Sequence, residues 1–190
     1  MHIARKYLAV LFTLALSMTT LAIADEEGTF FGEDASGKWI VGLKAGVMQN
    51  DTDGFGDATN AGVVLGYRFD RAIGGVGGSS SIELEFTTSV DDGDFSNVVG
   101  TWDVDTYALF FTYATPGTVY FKGKLGLMAT DVSTSVVGVA VNDDSGFAYG
   151  AGFGVRAGQH ARFELEYTGI AGITGENDIN FISLGGLLEF

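Results

Sequence analysis

From about residue 38 onward, apolar residues alternate with small or polar ones, in runs of about ten residues each. Side chains of a strand point in turn to its two faces, so a period of two predicts strands. No apolar stripe at i, i+3, i+4 and i+7 persists in this region, and no helix is predicted there.

Eight strands follow from the alternation. The first, Lys38 to Met48, sets Trp39, Val41, Leu43, Ala45 and Val47 against Gly42, Lys44 and Gly46. The second, Asn60 to Phe69, sets Ala61, Val63, Leu65, Tyr67 and Phe69 against Gly62, Val64, Gly66 and Arg68. The third opens near Ser81 and sets Ile82, Leu84 and Phe86 against Glu83, Glu85 and Thr87. The fourth opens near Val104, with Tyr107, Leu109, Phe111 and Tyr113 on one face and Thr106, Ala108, Phe110 and Thr112 on the other. Both faces of this strand are largely apolar, which leaves its phase weakly marked.

The fifth strand sets Val119, Phe121, Leu125 and Leu127 against Lys122, Lys124 and Gly126. The sixth sets Phe147, Tyr149, Ala151, Phe153 and Val155 against Ala148, Gly150, Gly152, Gly154 and Arg156. The seventh sets Phe163, Leu165 and Tyr167 against Arg162, Glu164 and Glu166. The eighth ends the chain, with Ile182, Leu184, Gly186, Leu188 and Phe190 on its apolar face and Glu189 on the other.

The connections alternate in length. Those at 49–59, 90–103, 131–145 and 170–178 are long and polar, and those at 115–117 and 157–160 are tight. The connection at 70–80 is intermediate. Long loops at one end and short turns at the other are the habit of transmembrane barrels, whose strands turn an apolar face to lipid. The expected fold is all-β: a closed, eight-stranded, antiparallel, up-and-down transmembrane β-barrel over 38–190. A soluble barrel of lipocalin type would turn the apolar face inward and leave the Glu83/Glu85 and Glu164/Glu166 face in water.

The N-terminus reads as an export signal over residues 1–24. Arg5 and Lys6 precede an apolar run from Leu8 to Leu16, and Ala22-Ile23-Ala24 offers a small-x-small cleavage site with Ala24 at the cut. The run is too short to span a bilayer comfortably. Residues 25–37 are then a periplasmic tail. Removing 1–24 leaves eight basic residues against 24 acidic ones, a net −16. The chain has no Cys, which excludes disulfides and thiolate chemistry.

The charges divide unevenly. On the face that would line the lumen stand Lys44, Arg68, Lys122, Lys124, Arg156 and Arg162 against Glu83, Glu85, Glu164, Glu166 and Glu189. Charges in a narrow interior are tolerable when paired and hydrogen-bonded, and an eight-stranded lumen is just wide enough for side chains to fill. This set is expected to form a structural ion-pair network that plugs the barrel. A narrow conducting channel lined by the same charges is the alternative.

The long loops carry the acidity: Asp51, Asp53, Asp57, Asp91, Asp92, Asp94, Asp103, Asp131, Asp143, Asp144, Glu176 and Asp178. Asp51 to Asp57 superficially suggests a calcium loop but lacks the bidentate Glu, so no metal site is assigned. The acidity also argues against a nucleic-acid partner. Trp39, Tyr67, Phe69, Tyr113, Tyr149, Tyr167 and Phe190 fall near strand ends, as interfacial aromatic girdles do. The one His after the leader, His160, sits in a tight turn, and neither Gly-x-Ser-x-Gly nor His-Glu-x-x-His occurs. No catalytic residue and no cofactor are expected.

With its signal segment, eight alternating runs and terminal Ile182-Ser183-Leu184-Gly185-Gly186-Leu187-Leu188-Glu189-Phe190, the chain resembles the small outer-membrane β-barrel family of OmpA-like and OmpX-like proteins. The resemblance implies that terminal Phe190 is an insertion signal read by the barrel-insertion machinery. Gly186 departs from the bulkier residue the pattern prefers. Further implications are residence in the outer membrane of a Gram-negative bacterium, contact with its lipid and lipopolysaccharide, and a monomer. The expected role is envelope structure and surface contact through the loops; a narrow channel for ions or small hydrophobic solutes is the alternative. The 131–145 loop is the longest, and its Val136–Val141 segment is apolar enough to extend the hairpin or meet a partner.

Overall fold

The computed structural model describes residues 37–50, 54–69, 77–136, 144–171 and 179–190. The leader with Ala24, the tail up to residue 36, Asp51, Asp53, Asp143, Glu176, Asp178 and most of Val136–Val141 lie outside these residues. The ladder segments are β1 (Gly37–Asn50), β2 (Ala58–Phe69), β3 (Ser79–Asp91), β4 (Gly93–Asp94), β5 (Thr101–Ala114), β6 (Val119–Thr134), β7 (Asp144–Ala157), β8 (Ala161–Ala171) and β9 (Ile179–Glu189). The two-residue β4 pairs only with the start of β5. The other eight are the staves of the barrel.

Each stave pairs antiparallel with its sequence neighbours, β9 returns to β1, and β3 pairs with β5. The sheet therefore closes, and around the ring no stave is left as a free edge to lipid. Register follows the alternation. Trp39 stands opposite Tyr67, Val41 opposite Leu65 and Leu43 opposite Val63, so like faces meet across β1 and β2. A slip of one residue would exchange the two faces of a strand.

The outer face is apolar around the whole circumference, with Leu43, Leu65, Phe121, Leu127, Phe153, Phe163, Leu184 and Leu188 all exposed. Buried inside are Lys44, Glu83, Glu85, Lys122, Lys124, Arg162, Glu164 and Glu166. This is the reverse of a soluble barrel, and only a hydrocarbon surrounding makes it favourable. β5 takes the phase that buries Phe110 and exposes Phe111. At the end holding Gly37 and Phe190, Trp39, Tyr67 and Phe69 form two edge-to-face contacts with centroids 5.3 Å apart.

The short turns use glycines in the left-handed region, at Gly117 (φ 115°) and Gly158 (φ 75°). Side chains with a Cβ avoid that conformation. Two expectations need correction at the opposite end. β5 begins at Thr101 and β6 runs to Thr134, so their hairpin extends well into the segments read as loops 90–103 and 131–145. The inward residues explain it, because Trp102, Val104 and Val132 continue the interior face and pack there.

Candidate functional site: the barrel interior and its loop-side cap

The interior is layered, and its middle layer is ionic. Lys122 on β6 lies 2.7 Å from Glu83 on β3, 2.8 Å from Glu164 and 2.7 Å from Glu166, both on β8. Lys44 on β1 reaches Glu85 at 2.8 Å and Glu166 at 2.9 Å. Lys124 joins the same two carboxylates at 2.8 Å and 3.0 Å. Arg162 contacts Glu83 at 3.2 Å, Glu164 at 3.1 Å and Glu189 at 3.1 Å, while Arg68 reaches Glu189 at 3.3 Å. Most of the pairs skip one stave, joining strands that are not hydrogen-bonded neighbours, and Arg162 to Glu83 joins opposite walls, β8 to β3.

The strand period stacks the charges in pairs. Adjacent lumenal positions on one strand are two residues apart, which stacks Glu83 over Glu85, Lys122 over Lys124 and Glu164 over Glu166. Glycines on β7 leave room for the long chains. A Cβ at Gly150 would press on Lys124, and one at Gly154 would press on the Tyr120 ring. Tyr120 is a lumenal residue that the alternation did not single out; its hydroxyl donates to Glu164 at 2.6 Å. Arg156 stands apart from the cluster. Its guanidinium lies 4.2 Å from the Tyr120 ring centroid and donates to the Gly117 carbonyl at the short-turn end.

Above the ions a hydroxyl layer crosses to the loop side. Thr87 and Thr106 are 2.7 Å apart, and Asn60 donates to the Val104 carbonyl at 2.8 Å. Beyond it lies an apolar cap that sequence reading did not anticipate: Met48, Trp102, Val104, Met128, Ile170 and Phe181 pack inside the barrel, and Phe110 carries the cluster down to the ionic layer, its ring centroid 4.4 Å from Lys124 Nζ. Phe55 and Phe95 cover it, joined by a β-bridge and an edge-to-face contact at 4.8 Å. Trp102 is fully buried and donates from Nε1 to the Gly56 carbonyl at 2.9 Å. Gly56 N–H donates to Asp94 and Ser96 N–H to Gly54, at 2.7 and 2.8 Å, so the first two loops form one backbone-bonded unit. The available signal was Trp102 and Val104 continuing the inward phase of β5.

His160 lies where the chain turns from β7 to β8, with Nδ1 2.9 Å from the Glu189 carbonyl oxygen. Glu189 N–H donates to the His160 carbonyl and Phe190 N–H to that of Trp39, at 2.7 and 3.1 Å. The chain end is thus fastened to strands on both sides. Among the described residues no group of three or more His, Asp or Glu has a metal-binding arrangement.

No curated protein matches the chain. Among solved structures it resembles Neisserial surface protein A, with a TM-score of 0.59 at 12% identity, covering 82% of this chain and 99% of that one. It also resembles Ail, the attachment invasion locus protein of Yersinia pestis, with a TM-score of 0.54 at 15% identity over 82% and 99%. The N-terminal barrel domain of Pseudomonas aeruginosa OprF gives a TM-score of 0.52 at 15% identity over 82% and 100%. At such identities the likeness speaks for the fold alone. Over residues 8–186 the chain matches the outer membrane protein beta-barrel domain family, and with its closed barrel and apolar exterior it belongs to that family.

Proposed function

We propose that this outer-membrane barrel is a non-enzymatic protein whose interior is closed, serving envelope structure and surface contact through its acidic loops. The observation that carries the reading is Lys122, buried and held by Glu83, Glu164 and Glu166 within 2.8 Å. An ion entering this layer would have to displace paired charges rather than water. The apolar cap adds a second barrier, since it offers a passing ion no hydration. Single-channel recording on refolded protein in planar bilayers tests the closure. The expected trace is silent; steady, large conductance overturns it.

The same reading takes residues 1–24 as an export signal cut after Ala24, Phe190 as the signal to the insertion machinery, and the outer membrane of a Gram-negative envelope as the setting. Outer-membrane lipid and lipopolysaccharide are its neighbours, and the barrel acts as a monomer. Edman sequencing of the membrane-inserted protein is expected to start at Asp25. The position of His160, bonded to a backbone carbonyl at the short-turn end, supports a structural rather than catalytic role for it.

One observation favours the alternative of a narrow passage. Met48, Met128 and Phe181 belong to a soft apolar cluster on the loop side, and Met-lined surfaces adapt to varied guests. Uptake of a small apolar dye into proteoliposomes, faster than into protein-free vesicles and slowed by Met128→Trp, would favour that passage over a fully closed interior.

A further inference from the structure

We propose that the acidic segment 25–36 docks on the short-turn mouth of the barrel and neutralises Lys38 and Arg156 there. The inference rests on the export reading above, in which the exported chain begins at Asp25. The lumenal charges do not balance evenly along the barrel. In the central layer Lys44, Lys122 and Lys124 meet four carboxylates, Glu83, Glu85, Glu164 and Glu166, and Arg162 supplies the fourth cation. Arg68 is served by Glu189. Two cations are left over. Lys38 donates to the Gln159 carbonyl at 3.2 Å, and Arg156 to the Gly117 carbonyl with its guanidinium against the Tyr120 ring. Among the described residues neither meets a carboxylate.

Printed contacts gather these cations around one turn. Lys38 stands opposite Arg68 across β1 and β2, and Arg156 opposite Arg162 across β7 and β8. Glu189 joins the two sides, reaching both Arg68 and Arg162. Its N–H donates to the His160 carbonyl, one residue beyond the Gln159 carbonyl that Lys38 meets. Like charges directly opposite are destabilising, so each pair calls for a counter-anion. Glu189 serves Arg68 and Arg162 but not Lys38 or Arg156. Phe190 enters no ion pair among the described residues. The connection after β2 brings Asp70 and Arg71, one of each sign, which leaves the surplus as it is.

The matching anion belongs to the same chain. Residues 25–36 hold Asp25, Glu26, Glu27, Glu33 and Asp34 and no Lys, Arg or His. They join β1 at Gly37, next to Lys38. Round the ring β7 follows β1 by way of β9 and β8, three strand spacings of about 4.8 Å. The stretch from Glu27 to Ser36 can extend to about 35 Å. Glu33 and Asp34 are therefore in reach of Lys38, and Glu26 and Glu27 in reach of Arg156. Tethering by a short flexible segment gives these carboxylates an effective concentration in the millimolar range, which a separate anion would have to exceed. The mouth opens to water, so added salt weakens the docking.

The chain has no Cys, so spin labels can be placed at Thr29→Cys and Gln159→Cys, the second of which keeps the carbonyl that Lys38 meets. Protein extracted from the membrane is measured by pulsed dipolar spectroscopy, and Edman degradation of the same sample reports the export cut separately. The expected distance distribution is narrow at low salt. It broadens in the tail variant Glu26→Gln/Glu27→Gln/Glu33→Gln/Asp34→Asn and in the mouth variant Lys38→Met/Arg156→Met. The tail substitutions all precede β1, and heat-modifiable migration on SDS gels establishes that each variant has folded. A broad distribution in the labelled parent overturns the proposal, as does a narrow one that survives the tail substitutions. A broad parent distribution together with saturable binding of added polyglutamate gives the mouth to a separate acidic partner, and overturns it too.

Discussion

Asp105 of β5 stands directly opposite Asp131 of β6 on the outer face of the longest hairpin. One step nearer the membrane, the same face carries Tyr107 opposite Ala129. A carboxylate in hydrocarbon is costly, so the Asp pair marks the height at which this hairpin leaves the bilayer. Like charges directly opposite are destabilising by a fraction of a kcal/mol. Asp131→Asn is therefore expected to raise the stability of the barrel by about 0.2–1 kcal/mol, seen as a higher urea midpoint at low salt. A midpoint that falls would show that the two carboxylates do more for the hairpin than their repulsion costs it.

Removing the cation at the centre of the lumen tests the ionic layer. Lys122→Met leaves Glu83, Glu164 and Glu166 facing one another with one donor fewer. Breaking a buried pair by deleting one partner costs about 3–5 kcal/mol, and urea unfolding in lipid vesicles should register a loss of that order. Lys38→Met is the contrast, since Lys38 donates to the Gln159 carbonyl at an exposed site; its effect should stay within about 0.5 kcal/mol.

Trp102 anchors the two loop segments that fold over the cap. Trp102→Ala removes the bond to the Gly56 carbonyl and the ring contact with Phe55 at 5.6 Å. Such large-to-small changes in a packed interior cost about 3–5 kcal/mol. The staves are closed independently of the cap, so the barrel is expected to fold while the 92–100 segment becomes open to protease. Equal protease resistance in variant and parent would mean that the ladder holds these loops without the ring.

Glu189 links staves on both sides of the β9–β1 closure, reaching Arg162 on β8 and Arg68 on β2. Glu189→Gln keeps shape but weakens both charged contacts, each worth about 1.5–3 kcal/mol. The temperature at which the folded band converts on SDS gels should drop. An unchanged conversion temperature would place the strength of the closure in the backbone ladder alone.

The alternation along the chain was enough to determine the staves and their inward faces, because the side-chain period of a strand is fixed by covalent geometry. Even β5, whose two faces differ little in polarity, follows that period once Thr106 and Thr112 are placed inside. Which charges meet was not legible: Lys122 and Glu83 belong to β6 and β3, which flank β5, and only the curvature and tilt of the sheet bring them together. The cap was hidden for the same reason. Phe55 and Phe95 are scattered among loop-like residues with no period of their own, and what brings them onto Trp102 is the open mouth of a barrel that must be filled. Local chemistry thus decided where each side chain points, and the closed curvature of the sheet decided what it finds there.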